Sequence, residues 1–319
     1  MSDDATAGTL TSSPARAVVF AYHNVGVRCL RVLRAQGVEI PLVVTHRDDP
    51  AEARWFASVR DTADELGLPC IAPDDVNARD VVERIRTLAP HFLFSFYFRQ
   101  MLGAPLLALA SRGAYNMHGS LLPKYRGRAP VNWAVLHGER HTGATLHAMA
   151  AKPDAGDIVA QQRVPILPDD TARDVFDKVT VAAEICLDDV LPALLAGTET
   201  RRVNDVASGS YFGRRTPDDG RIDWGETAVA IHDLVRAVAP PYPGARTRVA
   251  SLPSRILRTR LVDATAPAQS PALVANGGTL VARCGGGGAL EVVELEIGGT
   301  TVSAAAFRER FGDAPVPLG

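Results

Sequence analysis

Apolar runs that alternate with amphipathic segments restrict the possible fold more than any other feature of this sequence. The runs carry no Asp, Glu, Lys or Arg, as expected for strands buried on both faces, and they occupy residues 17–22, 40–45, 91–98 and 114–117. Helices are predicted between or beside them, at residues 26–36, 51–66, 80–88 and 102–111, with a short strand at residues 70–71. Strands that alternate with helices favour a mainly parallel sheet. The sequence therefore predicts an α/β domain of Rossmann-like type.

Two polar side chains stand at the end of the fourth of these strands. Asn116 and His118 are two residues apart, so they point to the same side of a strand. An amide donor beside an imidazole can stabilise an oxyanion and move a proton. Spacing alone leaves a second interpretation open, in which His118 is a core histidine with satisfied hydrogen bonds.

Asp154 is the carboxylate that could complete this group. It lies in a loop between two predicted strands, residues 143–149 and 157–166, where an aspartate is also a natural turn residue. If both strands join the same sheet as Asn116 and His118, a carboxylate–imidazole pair becomes possible. Such a pair would raise the pKa of the imidazole and fix its tautomer.

Other kinds of site find little support in the sequence. The turn at residues 23–26 lacks G-x-G-x-x-G, and no Walker A or G-x-S-x-G pattern occurs, which argues against nicotinamide, P-loop and serine-hydrolase chemistry. His137, His141 and His147 do not match a zinc spacing such as H-E-x-x-H, so no metal site is predicted. The cationic residues Lys124, Arg126 and Arg128 could bind an anion or simply face solvent.

The second half of the chain predicts a smaller β domain. A helix at residues 130–137 and a long helix at residues 171–195 complete the first domain. Beyond a change of composition near residues 201–208, a helix at residues 228–238 precedes short strands, predicted at residues 245–249, 254–262, 279–284 and 289–295. We therefore expect a disordered tail at residues 1–14, a catalytic domain at 15–203 and an OB-like β-barrel domain at 204–319.

Composition restricts the partners and the compartment. The 319 residues carry a formal net charge of −2, which gives no basic footprint for nucleic acid. No run approaches the ~18 apolar residues of a membrane span, and the first residues lack the apolar core of a signal peptide. The four cysteines form no C-x-x-C pair, as expected for reduced thiols in a cytoplasmic protein.

At the residues around Asn116 the chain resembles the folate-dependent formyltransferases. The resemblance rests on Asn116-x-His118, on the Ser-Leu-Leu-Pro-Lys-Tyr-Arg-Gly run at residues 120–127, and on Asp154-Ala-Gly156. Within that superfamily the chain is most similar to the enzymes that formylate UDP-4-amino-4-deoxy-L-arabinose during lipid A modification, a step in polymyxin resistance. The stretches that carry this closer similarity are residues 19–23, 94–97, 118–130, 132–133 and 212–219.

The resemblance implies a reaction, a co-substrate and a set of residues. It implies transfer of the formyl group of 10-formyltetrahydrofolate to a sugar amine, without a metal, with Asn116, His118 and Asp154 as the catalytic trio. It further implies two residue sets, the folate contacts Gln100, Met101, Leu102, Arg128, Ala150, Ala151, Lys152, Pro153 and Asp154, and, for the UDP diphosphate, Arg214 and Arg215. The best-known members carry a fused UDP-glucuronic acid decarboxylase domain, which this sequence lacks. Transferase activity alone is therefore expected, with the oligomeric state left open.

Several alternatives share these features. Methionyl-tRNA formyltransferases have the same trio and both domains, but they must hold a polyanion, and this chain is slightly acidic. Formyltransferases for other nucleotide-linked aminosugars, a formyl-folate hydrolase, and a binding protein without turnover also remain open. The partners expected in the preferred interpretation are small molecules, without nucleic acid or membrane insertion.

Overall fold

The computed structural model describes residues 14–48 and 54–319, so the predicted tail lies outside the described residues, apart from Pro14. The strands are β1 (Arg16–Ala21), β2 (Glu39–Val44), β3 (Cys70–Ile71), β4 (Phe92–Phe96), β5 (Gly113–His118), β6 (Arg126–Gly127), β7 (His141–Ala148), β8 (Ile158–Pro165), β9 (Tyr211–Phe212), β10 (Ala245–Val249), β11 (Leu252–Asp263), β12 (Ala272–Asn276), β13 (Thr279–Arg283), β14 (Ala289–Ile297), β15 (Thr300–Thr301) and β16 (Val316–Pro317). The helices are α1 (His23–Ala35), α2 (Val59–Glu65), α3 (Arg79–Thr87), α4 (Ala104–Leu107), α5 (Pro130–Leu136), α6 (Ala172–Ala196), α7 (Ala228–Val238) and α8 (Ala304–Phe311).

One seven-stranded sheet has the order β3-β2-β1-β4-β5-β7-β8. Strand β1 pairs in parallel with β2 and β4, and β3 pairs in parallel with β2, whereas β7 and β8 form an antiparallel hairpin. A second sheet is antiparallel, with the order β10-β11-β14-β13-β12-β16, and β15 pairs with β14. The predicted fold class, a mainly parallel α/β domain followed by a curled β domain, is confirmed.

Tertiary contacts divide the chain into two compact units. The first contains residues 14–47, 57–115 and 187–199. Its core is formed by β1 and β4, whose apolar side chains are almost entirely excluded from solvent, as in Phe20, Phe92 and Phe94. Tyr115 stacks on Phe94, with 5.8 Å between the ring centroids. Burial on both faces of these strands explains why the sequence shows uninterrupted apolar runs there.

The second unit contains residues 48, 54–56, 116–186 and 200–319. In its antiparallel sheet a buried cluster lies under α7, with Ile231 and Val235 of the helix and Ile256 and Leu290 of the strands. An isolated bridge pairs Val249 with Leu318, beside the strands at the two ends of the sheet order, so the sheet curls. The loop at residues 285–288 joins β13 to β14 as a hairpin, as the sequence predicts.

Two helices are shorter than predicted. Of the helix expected at residues 51–66, the described part begins only at Val59, where the Ser58 hydroxyl accepts a hydrogen bond from the Asp61 amide. The helix expected at residues 102–111 is reduced to the four residues of α4, because the amides of Ser111 and Arg112 donate instead to the carbonyl oxygens of Pro90 and His91. The four cysteines form no disulfide. In the described ranges no helix has both the length and the apolarity that crossing a membrane requires.

Candidate active site

His118 is the last residue of β5, and its side chain is almost fully buried. Its Nε2 lies 2.8 Å from the carbonyl oxygen of Tyr125. A carbonyl oxygen can only accept, so Nε2 carries a hydrogen and, in the neutral ring, Nδ1 carries the lone pair. The backbone of Tyr125 thus selects the tautomer in which Nδ1 is the free base.

Asp154 faces that base. Its Oδ1 lies 3.5 Å from His118 Nδ1, and its Oδ2 accepts a hydrogen bond of 2.9 Å from the Gly127 amide. The predicted pairing of Asp154 with His118 is therefore present in the structure. A protonated His118 would donate to the Tyr125 carbonyl and to the Asp154 carboxylate at once, so the site is built to accept a proton on Nδ1.

Burial and charge act in opposite directions on these two groups. Burial lowers the pKa of His118 below its ordinary value, and the opposing effect of the Asp154 carboxylate is smaller. The Asp154 carboxylate does act to raise this pKa, as the sequence predicts, but desolvation outweighs it and the net shift is downward. Burial acts to raise the pKa of Asp154, but the interaction with His118 and the hydrogen bond from the Gly127 amide act in the opposite direction, and the pKa of Asp154 lies below its usual range. At neutral pH the resting site holds a neutral imidazole and a carboxylate.

The loop that carries Asp154 has little freedom. Asp154 adopts a left-handed backbone conformation with φ of 50°, which non-glycine residues seldom adopt outside special sites. A Cβ at Gly156 would stand 1.9 Å from the carbonyl oxygen of Ala148, so only glycine fits there. The Asn204 side-chain amide donates to the carbonyl oxygens of Asp154 and Gly156, at 2.9 and 3.2 Å. These contacts fix the carboxylate in front of His118.

Asn116 reaches the same place through a second histidine. The Asn116 Nδ2 lies 3.1 Å from Nε2 of His147, a residue of β7 that is 2% exposed. The same Nε2 lies 3.5 Å from Asp154 Oδ1. The three predicted catalytic side chains are thus gathered in one cluster, with His147 as its fourth member.

His147 is the residue that the sequence interpretation missed. In the sequence it stands out only as a possible metal ligand, and its spacing to His137 and His141 matches no zinc site. Its place one residue before the end of β7, the strand that leads into the Asp154 loop, is the signal that could have identified it. In residues 14–48 and 54–319 no group of three or more His, Cys, Asp or Glu side chains is arranged to hold a metal ion.

The residues expected to contact folate lie in two parts of the structure. Gln100 to Leu102 follow β4 in the first unit, and the Gln100 side chain is held by the Val76 amide and the Asp74 carbonyl oxygen. Met101 is 55% exposed, whereas Leu102 is buried. Ala150 to Pro153 form an exposed stretch of the second unit directly before Asp154, and Arg128 is exposed in the same unit.

Aromatic rings cluster beside the His118–Asp154 pair, in the second unit. Phe212 stacks on Tyr125 and Trp133, with centroid distances of 5.4 and 4.9 Å. The Arg215 guanidinium lies 4.9 Å from the centre of the Trp133 ring, and its Nη1 is buried without a hydrogen-bond partner. Arg214 is exposed, so the two arginines predicted as a clamp have different surroundings.

The three cations of the loop after His118 also differ. Lys124 forms an ion pair with Glu139, which accepts a hydrogen bond from the Tyr125 hydroxyl as well. Arg126 donates to the Val206 carbonyl oxygen. Lys124 and Arg128 are exposed, as a solvated loop predicts, whereas Arg126 is half-buried and its guanidinium is bonded to the backbone.

Comparison with protein families gives two matches. Residues 17–191 match the family described as formyl transferase, and residues 214–312 match its C-terminal domain. The first match alone spans more than half of the 319 residues.

Solved structures share the fold at low sequence identity. An N-formyltransferase from Helicobacter canadensis, in complex with folinic acid and dTDP-3-aminofucose, has a TM-score of 0.67 at 19% identity, covering 88% of this chain and 99% of that chain. WlaRD, a sugar 3N-formyltransferase solved with dTDP and 5-N-formyl-THF, has a TM-score of 0.68 at 18% identity, covering 91% and 100%. A sugar N-formyltransferase from Shewanella sp FDAARGOS_354 has a TM-score of 0.58 at 21% identity, covering 73% and 92%. Identities this low support a common fold and nothing finer.

Proposed function

Because the chain belongs to the formyl transferase family, we propose that it transfers the formyl group of 10-formyltetrahydrofolate to the amine of a nucleotide-linked aminosugar. The acceptor that the sequence favours is UDP-4-amino-4-deoxy-L-arabinose, with formylation at its 4-amine. The observation that carries the proposal is the buried His118–Asp154 pair, with its Nδ1 lone pair facing a carboxylate.

His118 is the proposed proton carrier. As the sugar amine attacks the formyl carbon, Nδ1 of His118 takes the amine proton and the ring becomes an imidazolium, stabilised by Asp154 at 3.5 Å. The same Nδ1 then gives the proton to N10 of the departing folate, so the ring returns to its neutral form. Acid–base help of this kind contributes ~10²–10⁴ in rate. The low pKa of His118 keeps the base available at neutral pH.

Asn116 is the proposed oxyanion donor. Its amide carries two N–H groups, and one of them points to His147 Nε2. The second is left for the formyl oxygen, on which negative charge develops during the attack. One oxyanion donor is worth roughly 10²–10³ in kcat.

In the second unit, the folate is proposed to contact Arg128 and the stretch from Ala150 to Asp154, while Gln100 to Leu102 of the first unit stay predicted contacts. Two features of those residues support this assignment. Met101 offers an exposed apolar side chain, which suits a flat ring system, and Arg128 offers a cation for a carboxylate tail.

For the diphosphate, Arg215 is a better candidate than Arg214. It stacks on Trp133, which orients the guanidinium, and its Nη1 has no partner within the protein. A diphosphate oxygen would satisfy that group. The exposed Arg214 would contribute charge with little fixed geometry.

Formylation assays on a panel of acceptors would test the proposal. The protein is incubated with 10-formyltetrahydrofolate and, separately, with UDP-4-amino-4-deoxy-L-arabinose, other UDP- and dTDP-linked aminosugars, and methionyl-tRNA. We expect mass gain by one formyl group on the UDP-aminoarabinose, and none on the tRNA. Formylation of a dTDP-aminosugar alone would show that the acceptor is a dTDP-linked sugar and not UDP-4-amino-4-deoxy-L-arabinose. Formylation of the tRNA alone, or release of formate without an acceptor, would refute the proposal.

A further inference from the structure

His147 has no part in the proton transfer described above, yet it is buried at the centre of the cluster. Its Nδ1 lies 2.8 Å from the Ala148 carbonyl oxygen, and its Nε2 lies 3.1 Å from Asn116 Nδ2. It is 2% exposed, so water has little access to either nitrogen. Both ring nitrogens are therefore assigned to protein partners.

The two partners determine where the hydrogen of His147 sits. A carbonyl oxygen only accepts, so Nδ1 must donate to Ala148. In the neutral ring Nε2 then has the lone pair, and it accepts a hydrogen from the Asn116 amide. This tautomer is the opposite of that in His118, where Nε2 carries the hydrogen. The neighbouring backbone carbonyls thus leave the lone pair on Nδ1 in His118 and on Nε2 in His147.

We infer that neutral His147, as an acceptor through Nε2, is a positioning residue that orients the Asn116 amide toward the oxyanion. An asparagine amide can rotate by half a turn and exchange its oxygen for its nitrogen at little steric cost. An acceptor at Nε2 permits only the orientation in which nitrogen faces His147, because the amide oxygen would meet the Nε2 lone pair. The inference rests on the proposed function, in which Asn116 is the oxyanion donor.

Two other titratable groups face His147. Asp154 Oδ1 lies 3.5 Å from its Nε2, and His118 is the other imidazole beside that carboxylate. A proton on Nε2 would turn it into a donor to Asp154 and would remove the acceptor from Asn116. The positioning role therefore belongs to the neutral form of His147.

Two substitutions separate this role from a structural one. The terminal group of glutamine reaches the place of Nε2, whereas that of asparagine reaches the place of Nδ1. His147→Gln keeps an acceptor for Asn116 and should retain a kcat near that of the wild type. His147→Asn keeps the link to Ala148 but loses the acceptor, so kcat should fall roughly 10–100-fold, as for other residues that orient a functional group. KM for the aminosugar should stay unchanged in both variants.

A double mutant tests whether His147 acts through Asn116. Adding His147→Asn to Asn116→Ala should cost little beyond the single Asn116→Ala change, because the oriented group is already absent. Full additivity would overturn the inference. So would a folded His147→Asn variant of normal kcat, or a folded His147→Gln variant that is impaired.

Nitrogen-15 NMR of the wild-type protein tests the same inference without any substrate or substitution in the measured sample. With ¹⁵N-labelled histidine, at pH 7.5, the His147 ring should show its hydrogen on Nδ1 and an unprotonated Nε2. The spectrum of His147→Gln, in which one of the eight histidines is lost, assigns the signal. A hydrogen on Nε2, in either the neutral or the charged ring, would overturn the inference even if formyl transfer is confirmed. The expected spectrum would support the hydrogen bond from Asn116 to His147 Nε2 even if the aminosugar proves not to be the substrate.

Discussion

Replacement of Asp154 by asparagine should separate the charge of this residue from its shape. The variant keeps an oxygen for the Gly127 amide, while the negative charge 3.5 Å from His118 Nδ1 is lost. At that distance the attraction between a carboxylate and an imidazolium is about 1 kcal/mol in water and about 5 kcal/mol at an effective dielectric constant of 20. The side chain is 12% exposed, so the true value lies toward the upper part of that range. Because this attraction stabilises only the protonated ring, we expect kcat to fall by ~10²–10³.

The assay is steady-state formylation of the aminosugar, with a thermal melt of each protein. Asp157→Asn is a matched control, since it removes the same charge from an exposed residue of the same loop region and should leave kcat unchanged. An Asp154→Asn variant that melts like the wild type and retains its kcat would refute the view that the carboxylate stabilises a protonated His118.

Three further outcomes follow from the same geometry. The apparent pKa of the acid limb of kcat against pH should lie below the ordinary histidine value of about 6.5, because His118 must be neutral to accept a proton and burial lowers its pKa. An apparent pKa above that value would contradict the role of His118 as the base. Asn116→Asp should lower kcat by ~10² or more with little change in KM for the aminosugar, because it replaces a donor by a negative acceptor, and a stable variant of normal kcat would exclude Asn116 as the oxyanion donor. Turnover should be indifferent to EDTA, since no metal-holding group occurs in the described ranges, and loss of activity that zinc restores would count against this.

Much of the fold could be predicted because burial leaves a direct mark on the sequence. The apolar runs of β1 and β4 and the amphipathic α7 were predicted at or within two residues of their bounds. The prediction of a formyltransferase is confirmed by the two family matches. The domain boundary at residue 203 stays a prediction.

Where prediction failed, distant contacts decided the local structure. Residues 54–56 are not helical, and Trp55 packs edge-on against Phe176 with 5.3 Å between the ring centroids. Strand β12 and helix α8 were not predicted at all. The capping Ser303 before α8, which accepts from the Ala306 amide, was the available signal for that helix.

At the site, the sequence indicated three of the four side chains that meet, but not how they are protonated. Asn116, His118 and Asp154 could be identified from their motif. The carbonyl oxygens of Tyr125 and Ala148 carry no side-chain signature, yet they determine the tautomers of both histidines. The sign of the pKa shift of His118 likewise depends on burial, which motif spacing does not report.

Transfer of a labelled formyl group tests the central claim most directly. With 10-[¹³C]formyltetrahydrofolate and UDP-4-amino-4-deoxy-L-arabinose, ¹³C NMR follows the carbon in the wild-type protein and in His118→Ala. We expect the label to appear as a sugar formamide with the wild type, and at a rate lower by at least ~10² with the variant. Label that appears as free formate, or a His118→Ala variant that forms the formamide at the wild-type rate, would contradict the account.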